Sequence, residues 1–347
     1  MRHEEHLALT EQVQQNCHLS DAHFARDYSL CIYLLKMREF YRWEQGIAFG
    51  EPLPKGPLGE WLTAREAHWE TIEESDFVAL ELDQTPLPPF ESAPINQRLV
   101  QNGMVYSGGY CGDKPHFFLA ELEQVEKMGE TTIYISGHEL ARELTAPPAM
   151  SLGNTIFLRR ESLRRMIWEK LEEWGWQDPN RAIARAAAYY DFDSDLLGAL
   201  DAITDDELNT LLQHELGELA AGELLGGEWE AMLTALPRSR EQFQLRAIRD
   251  HLVDCEHTLP RLLHDGREAA IHFYFANFTT MRRAIFPLLH NAYLQWLDGG
   301  DRRILHQACR RGAEHWRKLA DEALGRYRHG DGKLRKRLQM SDEELML

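Results

Sequence analysis

The sequence contains no run of about 18 apolar residues, so no membrane-spanning helix is expected. It has no C-x-x-C pair, and its five cysteines, Cys17, Cys31, Cys111, Cys255 and Cys309, are scattered and odd in number. That spacing excludes both a disulfide framework and a thiolate zinc knuckle, and points to reduced, packed thiols. There is no G-x-x-x-x-G-K phosphate loop, because Ser107-Gly108-Gly109 lacks the lysine and the strand-to-helix setting that such a loop needs. No G-x-S-x-G is present, which removes the nucleophile elbow. Positive charge is scarce: 38 Lys and Arg stand against 56 Asp and Glu, for a net charge of -18. A phosphate-backbone partner is disfavoured, since counterion release requires cations at the phosphates. The one basic cluster, Arg326 to Arg337, sits in a glycine-punctuated tail and reads as a solvated terminus. The opening MRHEEHLALTEQ carries charges where a signal peptide needs an apolar run. A cytoplasmic protein with no nucleic-acid and no membrane partner is expected.

What is present is mostly helical patterning. At 347 residues the chain exceeds what one core usually fills. Apolar residues at Leu30, Leu34, Met37 and Tyr41 predict a helix from Asp21 to Gln45, ended by Gly46. A second helix is expected from Glu60 to Glu74, its Trp61, Ala64, Trp69 and Ile72 stripe shared with Arg65 and His68. From Phe77 the texture turns to Pro, Gly and β-branched residues, and MVYSGGY, KPHFFLAEL, TTIYISG and NTIFLRR read as short strands. Within this region Ser136 and Glu139 fit a capping box opening a helix. From Glu161 onward the pattern is helical again. Asp178-Pro179 reads as cap and first turn, and Thr204-x-x-Glu207 as a second capping box. Ala269 to Met281 is apolar on every side, which predicts a central helix holding a buried His272 bonded to a backbone carbonyl. The expected class is mainly α: N-terminal helices over 1–76, a small β insertion over 77–160, a C-terminal helical bundle over 161–328 and a charged tail over 329–347.

Four stretches, RDYSLCIYLLKMREFYRWE, KPHFFLAEL, APPAMSLGNTIFLRRESLRRMIWEKLEEW and HELGE, together resemble a family of uncharacterised bacterial proteins of unknown function. The resemblance spans most of the chain and implies a bacterial setting. It supplies no activity, cofactor or catalytic residue.

The chemistry-bearing candidates lie in two helical stretches. LLQHELGEL, residues 211–219, comes within one residue type of the zinc-protease pattern H-E-x-x-H, with Glu218 where the second His stands. At about 100° per residue, Glu215 falls inside the apolar face of Leu208, Leu211, Leu212, Leu216 and Leu219, while His214 and Glu218 share its edge. A buried carboxylate must be protonated, paired or metal-bound, because an unanswered charge there costs several kcal/mol or more. In LRAIRDHLVDCEHTLP, Asp250, Asp254 and His257 share one side, opposite Leu245, Ile248, Leu252, Cys255 and Leu259, and read as a solvated face unless the helix is covered on both sides. Two functions remain open. One is a metal site of His214, Glu215, Glu218, Asp250, Asp254 and His257, binding iron, manganese or zinc, or a small polar ligand, with metal-assisted or acid–base chemistry. The other is a non-catalytic interaction protein or homo-oligomer in which Arg65, Arg249 or Arg282 neutralises Glu215. Calcium is excluded at Asp191, Asp193 and Asp195, since Leu196 and Ala202 replace the required Gly and Glu; that stretch reads as an acidic interhelical loop.

Overall fold

The computed structural model describes residues 3–111, 114–174, 181–329 and 332–347. The chain divides into two compact units between Glu169 and Lys170. Asp178-Pro179 lies outside the described residues.

The first unit opens with α1 (His3–Phe24), α2 (Leu30–Glu44) and α3 (Lys55–Ile72). The single helix expected over Asp21 to Gln45 is broken: α1 ends at Phe24, and a short 3-10 turn Ala25–Asp27 separates it from α2. Then come the hairpin β1 (Leu80–Leu82) and β2 (Thr85–Leu87), α4 (Ser92–Leu99), β3 (Met104–Cys111), β4 (Lys114–Met128), β5 (Thr131–Arg142), β6 (Ala149–Leu152), β7 (Thr155–Arg159) and α5 (Arg160–Trp174). Strands β3 to β7 form one five-stranded sheet in the order β3-β4-β5-β7-β6, antiparallel except where β5 runs parallel to β7.

This sheet overturns the expectation of a mainly α protein with a small β insertion and a helical bundle. The strands run longer than the patterning suggested. In β4 the apolar run Phe117 to Ala120 is buried, but the strand continues through the exposed residues Glu121, Glu123, Gln124 and Lys127. A two-residue turn follows, with Gly129 at φ 60° and Met128 paired to Thr131, the tight reversal that glycine permits. The capping box at Ser136 and Glu139 is absent, because both residues lie within β5. Register shifts between β4 and β5 accompany this stretch, and Glu139 is buried completely where a cap would be solvated.

Helix side chains hold the strands by a repeated device. Asn16 of α1 donates to the carbonyl of Val78 at 2.9 Å and accepts from its N–H at 2.8 Å. Gln14 does the same to Arg142, at 3.1 Å in each direction. On α4, Asn96 clamps Tyr106 at 2.7 and 2.8 Å, and Ser92 clamps Gly108 at 3.0 and 2.8 Å. Ser92 and Asn96 are four apart on a helix and Tyr106 and Gly108 two apart on a strand, spacings of about 6 Å and about 7 Å. Helix α4 therefore satisfies the free edge of β3 as a neighbouring strand would.

The second unit is helical throughout: α6 (Ala182–Ala187), α7 (Leu196–Leu225), α8 (Gly227–Thr234), α9 (Arg240–Val253), α10 (Leu259–His264), α11 (Glu268–Ala276), α12 (Thr280–Ile285), α13 (Pro287–Leu297), α14 (Arg303–His329), α15 (Leu334–Leu338) and α16 (Asp342–Leu345). A π-helical turn, Asp254–Thr258, joins α9 to α10. Its core gathers Trp229, Ile248, Leu252, Phe286 and Trp316 among others. Helix α7 starts eight residues before the expected capping box: Asp195 caps it by accepting from the Gly198 N–H at 2.9 Å, and Thr204 bonds back to Leu200. The acidic loop thus ends in a helix cap. His272 is buried on α11 as expected, but its Nδ1 meets the Tyr293 hydroxyl at 3.0 Å where a backbone carbonyl was expected. The described residues of the basic cluster, 326–337, are exposed or half-buried, but the chain after it is packed: Leu338, Met340 and Leu345 are buried, and Leu347 exchanges backbone hydrogen bonds with Ile285 and Leu288. Among the described residues no helix is long and apolar enough to cross a membrane.

Candidate functional site

Helix α7 reaches the π-helical turn through Gly217. A Cβ at that position would stand 2.7 Å from Val253 Cγ1 and 2.9 Å from His257 Cβ, so the glycine is what lets the two backbones approach. His214 and Glu218, on either side of it, are thereby brought against the turn. His214 Nδ1 lies 3.4 Å from Asp254 Oδ1, and its Nε2 lies 3.5 Å from Glu218 Oε1. The pairing of His214 with Glu218 follows from their spacing of four. Asp254 is the correction: expected on a solvated face, it is 1% exposed. Tyr274 donates to it at 2.7 Å, and Arg282 pairs with the same oxygen. At the far end Arg249 pairs with Glu218 at 3.3 Å and with Glu230 at 3.4 Å.

The result is a chain of alternating charge, Arg282, Asp254, His214, Glu218, Arg249, Glu230. Burial opposes the charge on Asp254, yet Arg282 and His214 outweigh it and hold the carboxyl well below its usual range. Burial likewise opposes the His214 imidazolium, but bonds to Asp254 and Glu218 raise it well above its ordinary value. Glu218 is lowered despite burial by His214 and Arg249. Each carboxylate therefore faces a cation of the protein's own, and the arrangement stiffens the contact between α7 and the turn. Glu215 is buried as expected, and its charge acts on Arg249. Its supposed leucine face is a correction: Leu208, Leu211, Leu212, Leu216 and Leu219 are only half-buried, while Ile203, Thr204, Glu207 and Ala221 are buried. Asp250 lies within electrostatic reach, its carboxyl raised by burial. His257 packs its Cβ and Cγ against Gly217. Of the six predicted metal ligands, the structure joins three, His214, Glu218 and Asp254. Among the described residues no group of three or more His, Cys, Asp or Glu is placed to hold a metal ion.

Arg65, one of the expected partners of Glu215, is engaged within its own unit. It makes two bonds to Glu44, at 2.6 and 2.8 Å, and lies over the Trp61 and Phe40 rings.

A second buried ionic cluster in the first unit was not foreseen. Arg159, fully buried, donates from Nε to Glu139 at 2.9 Å and from Nη1 to Glu143 at 3.1 Å. Ser162 donates to the same Glu139 oxygen at 2.6 Å, and His116 Nδ1 meets Glu143 at 3.0 Å. Burial pushes the Glu143 carboxyl up, but Arg159 and His116 prevail and bring it to about 2. A charged residue in an apolar strand, Arg159 after TIFL, was the available signal.

A further concave surface of about 810 Å³ lies in the first unit, between the sheet and α4. Its wall is set by parallel pairing: Thr132 is opposite Thr155 and Tyr134 opposite Phe157. The two rings stack at 5.5 Å with planes 25° apart. Helix α4 supplies another wall with Ser92, Asn96 and Gln97, the 3-10 turn Val100–Asn102 that follows it adds Gln101, and Gly109 and Leu152 close one end. A Cβ on Gly109 would stand 2.6 Å from Leu152 Cδ2, so the glycine leaves room for the Leu152 side chain of β6. Burial raises the Tyr134 phenol, which stays neutral. Sixteen residues line the cleft and Glu91 is the one charged member. Sixteen residues drawn from a chain that is 27% charged would include about four, so the wall is selectively neutral. The sequence signal was faint, since β5 and β7 are separated by the whole of β6 and pair in a direction that alternation does not reveal.

No curated protein and no solved structure matches the chain. Family models match both parts: the N-terminal domain of a family of unknown function (DUF6866) over residues 8–159, and its C-terminal domain over residues 164–344. With the C-terminal model alone covering more than half of the sequence, the chain belongs to this family of unknown function, DUF6866.

Proposed function

We propose that the protein binds a small, uncharged ring compound in the cleft of its N-terminal unit, and acts by binding rather than by chemistry. The observation that carries this reading is the paired wall of β5 and β7: stacked rings at Tyr134 and Phe157, with hydroxyls at Thr132 and Thr155 one step along the same face. Rings offer a flat ligand stacking and dispersion contact, while hydroxyls and the amides of Gln97 and Gln101 fix its edge. A charged ligand would find no counter-ion except Glu91. The ionic clusters support the same reading from the other side. The carboxylates of both are tied to arginines, which suits them to holding helices and strands in place.

The test is a fluorescence titration of the full chain with N-phenyl-1-naphthylamine, a neutral ring probe. Saturable single-site binding is expected, weakened about tenfold or more by Thr155→Trp, which fills the cleft, and by Gln97→Trp, which obstructs its exposed rim. The rim variant leaves the core untouched and decides the matter if the first one unfolds. Absence of saturable binding, or binding indifferent to Gln97→Trp, would overturn the reading.

A further inference from the structure

We infer that a pocket between the end of α1, the start of α2 and α3 is a second ligand site, one that takes a short aliphatic diamine as its doubly charged cation. The pocket has a volume of about 480 Å³, lies within the first unit and shares no lining residue with the cleft. That volume suits a small molecule. Trp69, the one buried residue of α3, lines it. Its indole N–H donates to His18 in the core at 3.3 Å, so the ring offers the pocket only carbon. Tyr28, Tyr33 and the exposed Leu30 add to the lining. The apolar stripe expected on α2 thus divides, with Met37 and Tyr41 in the core and Leu30 outside it.

The charge of the lining sets the ligand class. Glu66 and Glu70 lie on α3 and Glu73 caps its end, and spacings of four and three put all three on one face, where they line the pocket. Arg26 is the one cation of the lining, and it pairs with Glu73 at 3.2 Å. Glu66 accepts from the Tyr33 hydroxyl at 2.9 Å, a neutral donor that leaves its charge unanswered. Glu70 has no hydrogen-bond or ion-pair partner among the described residues. Two carboxylates are left over, about 6 Å apart along the helix axis. Among the described residues no group of three acids is placed to hold a metal ion. Two ammonium groups joined by a short methylene chain fit this spacing: each end meets one carboxylate, and the methylenes lie against Tyr33 and Trp69. The same unit places its own cations on rings in this way. Lys36 and Lys114 stand 5.5 and 5.3 Å from the centre of Tyr28, and Arg65 stands 5.1 Å from that of Trp61. None of these three cations lines the pocket, and among the described residues no cation lies over Tyr33 or Trp69.

Isothermal titration calorimetry of the full chain with putrescine, at constant ionic strength, tests this. Saturable single-site binding is expected, weakened about tenfold or more by Glu70→Gln and by Glu66→Gln. The same loss is expected for n-butylamine, which keeps the chain but has one ammonium. Both substitutions preserve side-chain shape at exposed positions, so the melting temperature should hold. Glu60→Gln, an exposed acid of α3 outside the pocket, removes the same charge from the molecule and should leave the affinity unchanged. No saturable binding, binding indifferent to Glu70→Gln, equal affinity for putrescine and n-butylamine, or a loss with Glu60→Gln that matches the loss with Glu70→Gln, would overturn the inference.

Discussion

Glu207 is 2% exposed, and burial pushes its carboxyl up to about 8. A buried acid held in its protonated form, one of the three outcomes left open for position 215, occurs at 207, two helical turns earlier on α7. The native state holds this proton more tightly than the unfolded chain does. Stability accordingly falls as pH rises from the unfolded value near 4.5 through about 8, and stays low above it. Glu207→Gln should stabilise the protein by on the order of 3 kcal/mol above that window and by little below it. Urea denaturation at the two extremes checks this; equal effects at both would contradict it. At His214 and Glu218 the sequence was readable, since residues four apart share a helix face. The arrival of Asp254 was not, because it depends on Gly217 letting a distant turn come close. With Arg249 and Arg282 already answering these carboxylates, iron, manganese or zinc should leave Tm unchanged. A rise with one ion that Glu218→Gln abolishes would restore the metal reading.

At the scale of elements, the helix-to-strand clamps replace ladder hydrogen bonds. Asn96→Asp preserves the acceptor for the Tyr106 N–H but loses the donor to its carbonyl and buries a carboxylate in its place. The expected cost is on the order of 2 kcal/mol, with faster amide exchange along β3. No change in either quantity would show the clamp to be incidental. Alternation identified MVYSGGY, KPHFFLAEL and TTIYISG as strands because their apolar halves are buried. It missed the outer half of β4 and the end of β5, where the residues are polar and the strand is sustained by pairing rather than burial. Side-chain pattern cannot report strand order, so the parallel contact of β5 with β7, and with it the cleft, was out of its reach.

For the whole molecule, the division into two units with separate cores predicts unfolding in two calorimetric transitions. Arg159→Met removes the guanidinium that Glu139 and Glu143 share, leaving them to Ser162 and His116, at a cost of about 3–5 kcal/mol, and should lower one transition. Glu207→Gln above pH 8 should raise the other. A single transition moved by both variants would contradict this division. The overall acidity, read directly from composition, accords with a binding wall that avoids charge: the molecule concentrates its carboxylates outside the cleft or ties them to arginine. The most direct test of the account is the methyl NMR spectrum of threonine-labelled protein during titration with N-phenyl-1-naphthylamine. Ligand in the cleft should shift the Thr132 and Thr155 methyls while those of Thr63 and Thr71 on α3 stay in place. Shifts confined to Thr63 and Thr71, or none at saturation, would contradict it.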